Sequence, residues 1–148
     1  MTLEIDLVLV PVDGSEEARR AVSYAVEIAA EYDAAVHVVY VLGEQVVRAI
    51  ETGTVDDEEV AADSEAFGEE VAEMATERGV ELANSVAYGF STRTKLRHPG
   101  SVVLDTAEHV DADFVVVPRE PVSGDPDEVL EKAAEYVLLY ASQPVLSV

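Results

Sequence analysis

The stretch that decides the fold is Ile5-Asp6-Leu7-Val8-Leu9-Val10-Pro11-Val12, followed at once by Asp13-Gly14-Ser15. After Asp6 the run is wholly apolar and rich in β-branched side chains. A strand with one wet face alternates polar and apolar residues; this one does not, so both of its faces are dry, as in a parallel sheet. The residues that follow change period. Ala18, Ala21, Val22, Ala25, Val26 and Ala29 recur at three- and four-residue spacing with charges between them, the stripe of an amphipathic helix. Ser15 or Asp13 can cap that helix, and Glu16 and Glu17 suit its first turn.

The same alternation continues along the chain. Residues 34–41 (AAVHVVYV) form a second buried strand after a break at Tyr32-Asp33. Residues 43–58 read least clearly. They hold Gly43, Gly53 and an acidic run from Asp56, with room for a short helix through Val46, Val47 and Ile50. Val60, Ser64, Phe67, Val71, Met74 and Ala75 mark the next helix, which ends near Gly79. Residues 80–88 are a third strand, more polar and therefore nearer an edge. Gly89 to Gly100 is a loop, after which Ser101 caps a short helix with Val103, Leu104, Ala107 and Val110 inward. Residues 113–118 (DFVVVP) make a fourth strand. Asp125 and Pro126 have the pattern of a helix cap and first helical position, before the stripe Leu130, Ala133, Ala134, Val137, Leu138 and Ala141. Pro144 stops that helix, and the last five residues are a fifth strand.

This order specifies an α/β fold: a single domain over residues 1–148, a doubly wound five-stranded parallel sheet with helices on both faces. Such sheets bind ligands beyond the carboxyl ends of their strands, where the winding reverses. The loops after Val12, Val41, Tyr88 and Pro118 are therefore the places to look for function.

Composition narrows the partners. The 148 residues carry 31 acidic and 9 basic side chains, a net charge of −22. A field of that sign repels nucleic-acid phosphates and anionic lipid, so neither nucleic acid nor membrane is expected as a partner. There is no cysteine, which removes disulfides, thiolate metal sites and cysteine nucleophiles. The N-terminus has acids where a secretory signal needs bases, and no apolar run is long enough to span a bilayer. The acids are interleaved with apolar helix positions, which makes them a solvated outer surface. Such a surface suits a salt-rich cytoplasm and a halophilic protein.

At this point the residues themselves suggest a family. Val8 to Val41, with its apolar strand, Val-Asp-Gly-Ser turn and alanine-rich helix, resembles the opening of universal stress protein (UspA-like) domains. The ending EKAAEYVLLYASQPVLSV is similar to their last helix and strand. The resemblance covers nearly the whole chain, with a poor match in 43–58 and 89–100. It implies strand order 3-2-1-4-5 and a homodimer. The apolar, uncharged C-terminal strand fits that dimer, because such an edge is a template for pairing.

Many members of this family bind ATP through G-x-x-G, a spacer and G-[ST] after the fourth strand. Glycines there let backbone N–H groups approach phosphates, and the hydroxyl adds a donor. In this chain the corresponding positions are Pro118, Pro121, Glu131 and Lys132. Proline has no N–H, and a carboxylate about 4–6 Å from a poorly solvated phosphate costs on the order of a few kcal/mol. No cofactor is expected. A shifted alignment recovers Gly124 alone, which is not a cradle. If a nucleotide binds nonetheless, the resemblance places Pro11, Val12 and Asp13 beside it at the end of the first strand, and Val41 at the end of the second.

Asp13 has a plain alternative as a helix cap or turn acid. Arg93, Lys95 and Arg97 lie within five positions on an otherwise acidic chain. They suit an anion clamp, because Arg and Lys make charge-assisted hydrogen bonds to phosphate or carboxylate. The preferred reading is plainer: a surface loop that pairs with acids of the same chain or a dimer mate, since a chain with 31 acids has reason enough to keep a few bases. His37 reads as a core histidine, and His98 and His109 lack metal-ligand spacing. No base is placed beside any serine, so catalysis has no residues to carry it. The expected function is a regulatory or stress-response module without the glycine-rich cradle, acting as a dimer through an unknown protein partner or a small anion. The alternative is a nucleotide-binding stress protein with weak hydrolysis, using Asp13 and the 91–98 loop.

The charge makes a first prediction. At 1 M salt the Debye length is about 3 Å, so most self-repulsion is screened. The melting temperature rises between millimolar and molar potassium chloride, measured by circular dichroism; equal values at both ends would exclude the halophilic reading.

Overall fold

A computed structural model describes residues 2–42, 49–54, 56–88, 99–118 and 129–148. Its elements are β1 (Leu7–Val12), α1 (Glu16–Tyr32), β2 (Ala35–Leu42), α2 (Asp57–Glu77), β3 (Leu82–Tyr88), α3 (Pro99–His109), β4 (Phe114–Val117), α4 (Val129–Tyr140) and β5 (Val145–Ser147). Residues 49–51 add one helical turn before α2. The sheet is parallel throughout, in the order β3-β2-β1-β4-β5. The doubly wound fold, its strand order and the edge position of the polar third strand agree with the expectation.

β1 is central, between β2 and β4, and its alternation is internal to the core. Val8, Val10 and Val12 pack on one side with Val22, Val26 and Phe67. Leu9 packs on the other with Val103, Ala107 and Val137. All four β1 residues are fully buried. At about 25 cal/mol per Å² of apolar surface, each contributes roughly 1.5–3 kcal/mol of hydrophobic stabilisation. Helices α1 and α2 cover the first face, and α3 and α4 the second.

The ends of the elements have local causes. Ser15 caps α1 by accepting a hydrogen bond from the Ala18 amide at 3.1 Å. α1 ends at Asp33, whose left-handed φ of 57° lets its N–H reach the Ala29 carbonyl. Asp56 caps α2 through the Glu58 amide, so the acidic run is a helix start. Asp113 does more than turn the chain. One of its carboxylate oxygens accepts the amides of Asp6 and Leu7, at 2.8 and 3.1 Å, and ties the start of β4 to the start of β1.

The starts of α3 and β3 differ from the reading of the sequence. α3 begins at Pro99, so Ser101 lies inside its first turn and is not the cap. Proline tolerates an early helical position, where its missing N–H costs little. β3 begins at Leu82, two residues later than the sequence suggests. Of the proposed short helix through Val46, Val47 and Ile50, only Ala49 and Ile50 fall among the described residues, and they are helical. The Asp125-Pro126 cap and the Arg93, Lys95 and Arg97 cluster lie outside the described residues. Gly100 explains how closely α3 and α4 pack: a Cβ there would come within 2.6 Å of Tyr136 Cγ.

Candidate functional site at the switch point

The winding reverses between β1 and β4. The described walls of that crevice are the turn after β1, Asp13-Gly14-Ser15, and Pro118 after β4. The turn is closed on itself. Asp13 Oδ1 accepts the Ser15 amide at 3.0 Å, and Ser15 Oγ accepts the Ala18 amide. The Asp13 carbonyl accepts a hydrogen bond from the Tyr40 hydroxyl at 3.0 Å. Gly14 is required twice over. Its φ is +86°, and a Cβ would lie 2.6 Å from the Tyr40 hydroxyl oxygen.

Tyr40 was missed in the sequence, although it stands in an otherwise aliphatic strand end. It is half-buried on β2, with its ring edge-on to Phe67 at 6.1 Å. Burial raises its pKa, and the carboxylates of Asp13 and Asp63 add to that. The phenol therefore stays a donor throughout the neutral range. Pro11, Val12 and Val41, named as nucleotide neighbours, are buried. Val12 belongs to the core under α1, and Val41 to the core on the opposite face. Their side chains pack the sheet. Only Asp13 of that set is half-exposed in the turn.

Two further oxygens at this end escaped the sequence reading. Glu17 Oε2, in the first turn of α1, and Ser147 Oγ, on β5, are buried with no hydrogen-bond partner among the described residues. Pro118 is buried at the end of β4. The described rim thus offers carboxylates, a proline and the Ser147 hydroxyl, and its amides at 15 and 18 are already bonded. No group of three or more metal-ligating side chains occurs among the described residues. His37 is half-buried rather than sealed in the core. Its Nε2 shares a 2.9 Å hydrogen bond with Ser85 Oγ on β3. Burial, and secondarily His109, lowers its pKa, so it stays neutral at pH 7.

The model of the universal stress protein family matches residues 4–148. The chain belongs to the universal stress protein family. Universal stress protein MJ0531 of Methanocaldococcus jannaschii is 27% identical over 148 residues, spanning 95% of this chain and 80% of that protein. Universal stress protein UspA from Lactobacillus plantarum superposes with a TM-score of 0.73 at 21% identity, over 99% of both chains. A universal stress protein in complex with cAMP gives a TM-score of 0.70 at 22% identity, over 99% of this chain and 98% of that one. These structures share the fold with the stress protein described here.

The turn yields a prediction by double-mutant cycle. Gly14→Ala destabilises this stress protein by about 1–3 kcal/mol in urea unfolding, from the positive φ and the Tyr40 contact together. In a Tyr40→Phe background the same change costs less, because the contacting oxygen is gone. Equal costs in both backgrounds would show that the hydroxyl does not hold the turn.

Proposed function

We propose that this universal stress protein is a non-catalytic regulatory module that works as a homodimer in a salt-rich cytoplasm and does not hold a nucleoside triphosphate. The observation that carries the proposal is Pro118. It is buried directly at the end of β4, where the family resemblance calls for the first glycine of the phosphate cradle. A proline there supplies no N–H, and Asp13 and Glu17 add negative charge on the other wall. No helix of the described residues is long and apolar enough to cross a membrane.

The dimer reading is supported at the opposite end of α4. β5 has a strand neighbour on one side only. Beside it, Leu138, Leu139 and Tyr140 are 52%, 75% and 65% exposed. An open strand edge, and exposed large apolar side chains on the helix that precedes it, favour burial against a second copy. Sedimentation velocity gives a dimer, and Leu139→Glu shifts it to monomer; a monomeric parent protein would remove this part of the proposal.

A second reading is supported by two similar proteins with bound nucleotides, a universal stress protein in complex with cAMP and one from Archaeoglobus fulgidus in complex with dAMP. In that case Asp13 and the cluster Arg93, Lys95 and Arg97 hold a nucleotide in place of the cradle, with weak hydrolysis. Calorimetry at molar salt separates the two. No heat with ATP and magnesium, and no adenine absorbance released on denaturing the purified protein, is the expected result. Stoichiometric nucleotide, lost in Arg93→Ala/Arg97→Ala, would put the second reading first.

A further inference from the structure

A second concavity of about 750 Å³ lies toward the other edge of the sheet, between α2 and the strands β2 and β3, and shares Tyr40 with the turn after β1. Its size falls within the roughly 300–1,000 Å³ of small-molecule sites. Val38 and Leu42 of β2, Val86 of β3, Ile50 and Phe67 give it apolar walls. The cause is visible in the packing. α2 buries Phe67, Val71 and Ala75 in the core under α1. It stands away from the outer strand, and Val86 is left 52% exposed. Gly68, in the middle of α2, faces that gap; a Cβ there would come to 3.3 Å from Asn84 Nδ2. Glycine within a helix costs about 1 kcal/mol relative to alanine, and here neither a positive φ nor a backbone clash demands it.

The polar groups at this pocket select charge. Glu65 and Glu69, one turn apart on α2, line it together with Ser64 and Asn84, and among the described residues no basic side chain does. Anionic ligands, fatty carboxylates and nucleotides included, meet two carboxylates and a chain of net charge −22. We propose that this pocket binds a small, mainly apolar molecule bearing an amine or other cationic head, its body between Phe67 and Val86 and its head at Glu65 and Glu69. Apart from Tyr40 it shares no described residue with the switch point: Pro11, Val12, Asp13 and Val41 do not line it.

Two probes of matched body and opposite charge test it: 2-naphthylmethylammonium and 2-naphthoate, titrated by calorimetry at the lowest salt that keeps the protein folded. The ammonium binds once per chain, and the naphthoate binds at least about tenfold more weakly. Gly68→Leu fills the gap and lowers ammonium affinity about tenfold or more. Val86→Lys, at an exposed position, abolishes ammonium binding by repulsion and serves should the Leu variant unfold. Glu65→Gln/Glu69→Gln removes the preference for the ammonium. No saturable binding of either probe, binding unchanged in both Gly68→Leu and Val86→Lys, or equal affinity for the two probes would overturn the proposal.

Discussion

Everything in this molecule follows from a strand that has to be dry on both sides. β1 places Val8, Val10 and Val12 against one helical layer and Leu9 against the other. A strand with two apolar faces cannot sit at the surface, so it takes the middle of the sheet with helices above and below. Right-handed crossovers then send the chain outward to β2 and β3 on one side, and to β4 and β5 on the other. The point of reversal, with the Asp13 turn on it, is a consequence of where that strand must be.

Charge is organised around this core in a way that net values conceal. Of the few bases, Arg19 and Arg78 both join α1 to α2. Arg19 bonds Glu16 and Glu70, with its guanidinium 5.5 Å from the Phe67 ring centre, and Arg78 bonds Glu27 at 2.9 Å. The hydrogen bonds to Glu16 and Glu70 raise the Arg19 pKa further, so it is always charged. Each exposed pair is worth only about 0–1 kcal/mol. Their effect is local: two acidic helices lie side by side on one face, bridged by Arg19 and Arg78.

The sequence was most informative where one physical rule acted alone. The unbroken β1 run and the alanine stripe of α1 are decided by burial, and both came out as expected. The polar pattern of residues 80–88 correctly placed β3 at an edge. Legibility failed where two distant segments share a decision. Ser101 has the chemistry of a cap, yet α3 begins two residues earlier. Tyr40 is ordinary within its strand and gains meaning only because Gly14 folds beneath its hydroxyl. The pocket under α2 depends on Gly68, an isolated glycine in a helical stretch that carries no signal until β3 is seen opposite. Family resemblance supplied the strand order, which periodicity does not encode. It also drew attention to Pro118, whose ring the structure buries at the end of β4.

The grip of Asp113 on the amides of Asp6 and Leu7 spans more than a hundred residues of chain. During synthesis the first strand leaves the ribosome long before the side chain that completes it. β1 can meet β2 early, but its opposite edge and two of its first amides stay open until the fourth strand has been made. The N-terminal half is thus a nascent sheet with an open flank, which closes only after the region around residue 113 has emerged from the ribosome.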